Sequence, residues 1–215
     1  MSLLTSTGFM MQATRTPDSS ARGPDYRDRL SKLLRRPVLI LLNGSIAALL
    51  FLAQRQALAQ TATSQEYQVK AVFLSKFASF VTWPNQAFPD AKAPITIGIW
   101  GADPFGQHLA EAIQGEVING HPLTILRLQK DEKAAGCQIL FIREKDMNRL
   151  SQILSPLKAK PVLTVGEVSQ FTRRGGIVNF TLTEGRVQLE INPDEAARAG
   201  LKINSKLLSV STISK

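Results

Sequence analysis

From residue 66 onward, short apolar runs alternate with segments in which apolar residues recur at helical spacing. This alternation is the feature that most limits the folds open to the chain. Residues 95–100 form a continuous apolar run bounded by Pro94 and Gly101, which predicts a strand buried on both faces. Further strands are predicted at 123–128, 138–142, 162–165, 177–182 and 186–191. Helical spacing predicts helices at 66–81, through Leu109 and Ile113, at 147–154, through Val168 and Phe171, and at 193–199.

Strands and helices in this order predict an α/β domain. We expect one three-layer domain, in which a mostly parallel sheet carries helices on both faces. A C-terminal antiparallel hairpin, connected through residues 183–185, should complete the sheet. Asp103 followed by Pro104 predicts the N-cap and first turn of the second helix. This arrangement is Rossmann-like without a dinucleotide-binding motif.

The N-terminal region has the layout of a secretory signal peptide. A basic run ending in LLRRP at 33–37 precedes an apolar segment at 38–53, which leads to Ala57, Leu58, Ala59 and Gln60. A retained membrane anchor is the alternative, but a spanning helix needs roughly 20 apolar residues. The apolar segment is shorter and is interrupted by polar residues at 43–45. We therefore predict a tail and signal peptide over 1–59, cleavage after Ala59, and an exported domain over 60–215 without a membrane span.

Removal of that leader changes the charge of the protein. The chain carries a formal charge of +9, of which residues 1–59 contribute +5. The remainder has no dense stripe of lysine and arginine interleaved with aromatic residues, so a nucleic-acid partner is not predicted. Residues 60–215 are numerous enough for a single hydrophobic core.

Motifs that would indicate catalysis are missing from the sequence. It has no Gly-x-Ser-x-Gly elbow, no phosphate-binding P-loop, no Gly-x-Gly-x-x-Gly and no Cys/His pair at metal spacing. No catalytic residue, cofactor or metal is therefore predicted. His108 and His121 are interpreted as solvated or locally bonded side chains. Cys137 lies in a strand-like run and is interpreted as a small buried hydrophobe, with an intermolecular disulfide or redox sensor as the alternative.

Two loops are candidate ligand sites. Asp103 lies in the loop that joins a predicted buried strand to a helix, where ligands gather in open α/β sheets. Arg173 and Arg174 precede two glycines and could hold a carboxylate or phosphate. A turn and cap at the first loop, and a helix end at the second, are the simpler interpretations.

The chain resembles the YfiR-like family of bacterial periplasmic proteins. The resemblance covers nearly all of residues 66–210 and rests on several short motifs that occur in one order. These are YQVKAVFL at 67–74, KFASFVTWP at 76–84, GADPFG at 101–106, CQILFI at 137–142, VLTV at 162–165, GGIVNF at 175–180, EIN at 190–192 and LKINSKLL at 201–208.

The resemblance implies a non-catalytic periplasmic regulator. The family's namesake represses an inner-membrane diguanylate cyclase by engaging its periplasmic sensory part, which lowers cyclic di-GMP and biofilm formation. The partner implied here is an inner-membrane sensor protein, a diguanylate cyclase or a kinase. With the single cysteine Cys137 the chain cannot form intradomain disulfides, so redox control by that route is doubtful here.

We predict that the first helix or the C-terminal tail docks on that sensor or on a second copy of the chain. Phe77, Phe80 and Trp83 are the candidate contact residues of the helix, and Leu207 and Leu208 are those of the tail. Burial of all these residues in the core is the alternative interpretation. The rival function is a periplasmic module that binds a small molecule near Asp103, Arg173 and Arg174, and an enzyme ranks third.

Overall fold

A mostly parallel eight-stranded sheet organises the computed structural model, which describes residues 63–129, 134–143 and 147–214. The strands are β1 (Val81–Thr82), β2 (Ile95–Trp100), β3 (Val117–Ile118), β4 (His121–Leu128), β5 (Ile139–Ile142), β6 (Leu163–Gly166), β7 (Val178–Thr183), β8 (Arg186–Ile191), β9 (Lys202–Ile203) and β10 (Thr212–Ile213). The large sheet has the order β10-β8-β7-β6-β5-β2-β4-β3, and β1 pairs with β9 separately.

Strand direction agrees with the sequence prediction. Strands β4, β2, β5, β6 and β7 lie side by side in that order and run parallel to one another. The β7–β8 pair is the predicted antiparallel hairpin, and its turn is made by Glu184 and Gly185, which both have positive φ. Positive φ at both turn residues matches the right-handed twist of the paired strands.

Helices cover both faces of the sheet, as the sequence predicts. The helices are α1 (residues 63–80), α2 (His108–Ile113), α3 (Met147–Leu154), α4 (Pro193–Arg198) and α5 (Ser205–Ser209). In β5, Ile139 and Phe141 pack into the cluster that contains α1, α2 and α5, whereas Leu140 and Ile142 pack into the cluster that contains α3. The side chains of one strand thus alternate between two cores, which gives three layers.

Two local predictions of helical structure are wrong. Asp103 does not cap α2, because that helix begins at His108 and the Asp103 carboxylate instead accepts a hydrogen bond from the Phe105 amide at 2.8 Å. The helix predicted through Val168 and Phe171 is reduced to a 3₁₀ turn at Thr172–Arg174. Gly175 follows this turn at φ 94°, a conformation in which glycine carries no steric cost.

The tail forms more structure than its sequence pattern predicts. Strand β9 pairs with β1 directly after α1, and β10 adds a parallel edge strand beside β8. The side chain of Asn204 accepts a hydrogen bond from the Lys206 amide and caps α5. Within the described residues, no helix is both long and apolar enough to cross a membrane.

Candidate functional site

An apolar groove runs between the outer face of α1 and the short helix α5. Its volume is about 610 Å³. Val69, Val72 and Val210 line it with exposed side chains, and the exposed fraction of Val210 reaches 71%. The rings of Phe73 and Phe80 are half-buried along the same groove. Exposed apolar surface gathered in one concave place is typical of a contact site for another molecule.

Two lysines flank this groove. Lys76 lies on α1 and Lys206 on α5, and both belong to the groove lining. Lys76 pairs with Glu116 at 3.3 Å through exposed side chains, a contact that stabilises little. No acidic side chain lines the groove among the described residues. The groove is therefore apolar at its centre and positive at its margin.

The predicted contact residues divide into surface and core. Phe77 is fully buried and stacks on Phe180, with ring centroids 6.1 Å apart. Trp83 is buried, and its indole nitrogen donates to the Gln138 carbonyl oxygen at 3.1 Å. Leu207 is also buried. The predicted exposure of these three residues is wrong. Large apolar side chains next to the sheet stabilise the fold more when they are buried in the core than when they stay in water.

The remaining predicted contact residues keep part of their surface exposed. Phe80 and Leu208 are half-buried. Phe80 lines the groove, with Phe77 and Leu207 beneath it as buried lining. The α1 helix and the C-terminal tail, predicted as separate alternatives, together form this one groove.

The inner face of α1 carries a buried ion network. The ammonium of Lys70 lies 2.5 Å from a carboxylate oxygen of Glu66 and 2.7 Å from one of Glu167. Glu167 also accepts hydrogen bonds from the Tyr67 hydroxyl at 3.0 Å and from Nε of Arg143 at 2.9 Å. Two cations and two carboxylates thus balance in a cluster where Lys70 is only 4% exposed.

Tyr67 is held in its neutral form by this network. Burial, followed by the negative charge of Glu167 and the hydrogen bond to it, raises the pKa of Tyr67 to about 12. The Lys70 ammonium lies 4.7 Å from the centroid of the Tyr67 ring, a cation–π distance. The network therefore joins α1 to the carboxyl ends of β5 and β6, where Arg143 and Glu167 follow the strands.

The two predicted ligand loops differ in how their charged side chains are engaged. The second carboxylate oxygen of Asp103 pairs with Nε of Arg127 at 2.8 Å, so both of its oxygens are engaged. Arg173 and Arg174 are exposed in the 3₁₀ turn, and Arg174 lines a shallow groove with the end of α3. The groove that Arg174 lines and the cleft that Pro104 and Phe105 of the other loop line share no residue.

His121 and Cys137 occupy the ordinary positions predicted for them. His121 contacts the Ala93 carbonyl oxygen at 2.6 Å and stacks on Phe88. Cys137 is buried, and burial raises the pKa of its thiol to about 11. No group of three potential metal ligands occurs in the described parts of the chain. Ala57, Ala59 and Gln60, the predicted cleavage residues, lie outside the described residues.

Sequence reasoning missed both the exposed valines and the ion network. At 100° per residue, the large apolar residues from Val69 to Phe80 spread over about 200° of α1, wider than the roughly 100° stripe that one core face requires. The excess width of this apolar stripe was the sequence feature from which an exposed apolar surface on α1 could have been predicted. Lys70 and Glu167 gave no such signal, because their pairing joins residues 97 positions apart.

Comparison with known proteins identifies the family. The model of the YfiR/HmsC-like family matches residues 67–212, which include both faces of α1 and the tail. The chain belongs to the YfiR/HmsC-like family. Family membership supports a periplasmic regulator of cyclic di-GMP signalling in general, rather than an enzyme.

Solved structures give a more distant likeness. Eight chains of solved structures match, among them the crystal structure of a conserved domain protein from Vibrio cholerae. That protein is 14% identical, with a TM-score of 0.40, and the alignment covers 56% of this chain and 55% of that one. The match thus spans about half of that protein's length. No curated protein matches the chain.

Proposed function

We propose that this YfiR/HmsC-like chain is a periplasmic repressor that docks its α1–α5 groove on the sensory part of an inner-membrane signalling protein, such as a diguanylate cyclase. The observation that carries the proposal is the exposure of Val69, Val72 and Val210 around one apolar groove. Monomeric soluble proteins rarely expose a contiguous apolar patch, and such patches often mark contact sites for another molecule.

The lining of the groove indicates which kind of surface its partner presents. Its apolar lining fits the apolar stripe of an amphipathic helix, a common mode of groove recognition. Lys76 and Lys206 at the margin favour acidic residues beside that stripe. An apolar helix with acidic flanks on the periplasmic side of the sensor is therefore the proposed occupant.

Repression follows from unequal affinity for two states of the sensor. If the groove binds the inactive conformation more tightly, binding increases the population of that conformation. A tenfold difference in affinity corresponds to about 1.4 kcal/mol of bias. The regulator then needs no catalytic group, and it acts after export and removal of residues 1–59.

Co-purification from membranes tests this function. Val72→Glu places a carboxylate in the groove, and Val72 is 48% exposed, so the variant should fold normally. Leu182→Glu is the matched control, because Leu182 is 56% exposed on β7, outside the groove lining. We expect the exported wild-type chain and Leu182→Glu to retain an inner-membrane sensor and Val72→Glu to lose it. Equal retention by all three, or self-association alone, would contradict the proposal.

A further inference from the structure

A cleft opens at the point where the order of the parallel strands reverses. From β2 the chain crosses to β4 on one side, and the next parallel strand, β5, lies on the other side of β2. In open α/β sheets, ligands bind in the crevice outside the carboxyl ends of the two strands at such a reversal. Here those ends are followed by Gly101 and Arg143.

The lining of this cleft is rich in hydrogen-bonding groups and has no carboxylate among the described residues. The cleft has a volume of about 470 Å³. Its polar side chains are those of Ser64, Tyr67, Gln107, His108 and Arg143, together with Thr63. This lining is distinct from that of the α1–α5 groove, with which it shares no residue.

Two of the carboxylates near the cleft are engaged with other groups, and a third, Glu111, is exposed beside His108. Glu167 takes part in the ion network and accepts a hydrogen bond from Nε of Arg143. Both oxygens of Asp103 are bound by Phe105 and Arg127. Glu111 approaches Nδ1 of His108 only to 3.9 Å, which is beyond hydrogen-bonding distance.

His108 adds another polar group to this lining, and its side chain is 30% exposed. Its Nε2 atom lies 3.1 Å from the Ser64 hydroxyl. Arg143 provides a guanidinium whose described hydrogen bond uses Nε.

We propose that this cleft binds a small solute through an anionic group, either a carboxylate or a phosphate. The Arg143 guanidinium supplies charge and a planar set of donors, which suits both groups. Ser64 and His108 supply neighbouring polar contacts on the opposite side. The proposal does not depend on the groove and stands whether or not the groove binds a sensor.

Titration calorimetry at constant ionic strength tests the proposal. The full chain is expressed in cells that export it, and the purified protein is titrated with inorganic phosphate, succinate and L-glutamate. We expect saturable binding of phosphate or of a carboxylate with a Kd of ~1 mM or tighter. Competition between the two probe types shows which anionic group the cleft prefers.

Variants locate the binding in the cleft. Arg143→Gln should weaken binding at least tenfold, and Arg186→Gln should leave it unchanged because Arg186 lies exposed at the start of β8, outside the cleft. Because Arg143→Gln also removes a contact to Glu167, Ser64→Tyr provides a second test by filling the cleft at an exposed position. Absence of saturable binding to all three probes, or unchanged binding in both cleft variants, would overturn the proposal.

Discussion

The ammonium of Lys70 lies 2.7 Å from a carboxylate oxygen of Glu167, although 97 positions separate the two residues. Lys70 lies on the inner face of α1, and Glu167 directly follows β6. Their pair therefore fixes the helix to the carboxyl edge of the sheet. The opposite face of the same helix lines the apolar groove, so this ion pair helps to hold the proposed docking surface in place.

Replacement of Glu167 should destabilise the domain strongly. Glu167→Gln leaves the buried ammonium of Lys70 with Glu66 as its remaining carboxylate and also weakens the contact to Arg143. Loss of one partner from a buried ion pair costs about 3 kcal/mol. Urea unfolding followed by circular dichroism should show that decrease in the free energy of unfolding.

A double variant tests whether the lost stability comes from the buried charge that is left without its partner. Lys70→Met removes the buried ammonium, so in the Lys70→Met/Glu167→Gln protein neither half of the pair is left uncompensated. We expect this double variant to recover part of the stability lost in Glu167→Gln alone. If the loss in the double variant equals the sum of the losses in Glu167→Gln and Lys70→Met alone, Lys70 and Glu167 are not energetically coupled.

Tyr67 should make the domain lose stability at high pH. Its pKa is about 12 in the folded protein against an ordinary value of 10.0, so the folded state holds the proton more tightly. The resulting stabilisation is fully present below pH 10 and is lost as the pH rises from 10 to 12. Tyr67→Phe should remove this part of the pH dependence.

Tyrosinate absorbance gives the direct measurement. Tyr67 is the single tyrosine of residues 60–215, so the exported domain carries one such chromophore. Its absorbance should rise near pH 12 while the protein is folded and near pH 10 after unfolding in urea. A midpoint near pH 10 in the folded protein would show that neither burial nor Glu167 acts on the hydroxyl.

Cys137 should resist thiol reagents in the folded protein. Its side chain is buried, and its pKa of about 11 keeps the thiolate scarce at neutral pH. Labelling with a disulfide reagent at neutral pH should be slow in buffer and fast in urea. Rapid labelling of the folded protein, or a disulfide-linked dimer, would instead support the redox alternative.

Export should produce a chain that begins at Gln60. Small residues at Ala57 and Ala59 fit the preference of signal peptidase, and bulky side chains at these positions block cleavage. Mass spectrometry of the periplasmic protein should find Gln60 at the N-terminus, and Ala59→Leu should accumulate an uncleaved form. A periplasmic or membrane-bound wild-type chain that retains residues 38–53 would support the anchor alternative.

The arrangement of the sheet could be predicted from sequence because its signals are local. The apolar run of residues 95–100 and the glycine turn at Glu184 and Gly185 mark strand and hairpin without reference to distant residues. The two-residue strands β1, β9 and β10 are too short for periodicity to show, and distant pairing partners fix them.

The candidate site could be predicted only in outline. Sequence spacing named α1 and the tail as candidate docking elements, and both line the groove. It also named Phe77 and Trp83 as contact residues, which are buried, and it gave Val72 no role there. Which apolar residues of a helix face the core depends on where the sheet lies relative to that helix. That relation is fixed by contacts such as Lys70 with Glu167, which no local pattern encodes.

Site-specific photocrosslinking tests the docking surface most directly. A photoreactive amino acid at Val72 lies in the groove, and the same amino acid at Leu182 lies outside its lining with comparable exposure. After irradiation of intact cells, the Val72 position should yield a covalent adduct with an inner-membrane signalling protein, and the Leu182 position should not. An adduct at Leu182 alone, or no membrane-protein adduct at Val72, would contradict the account.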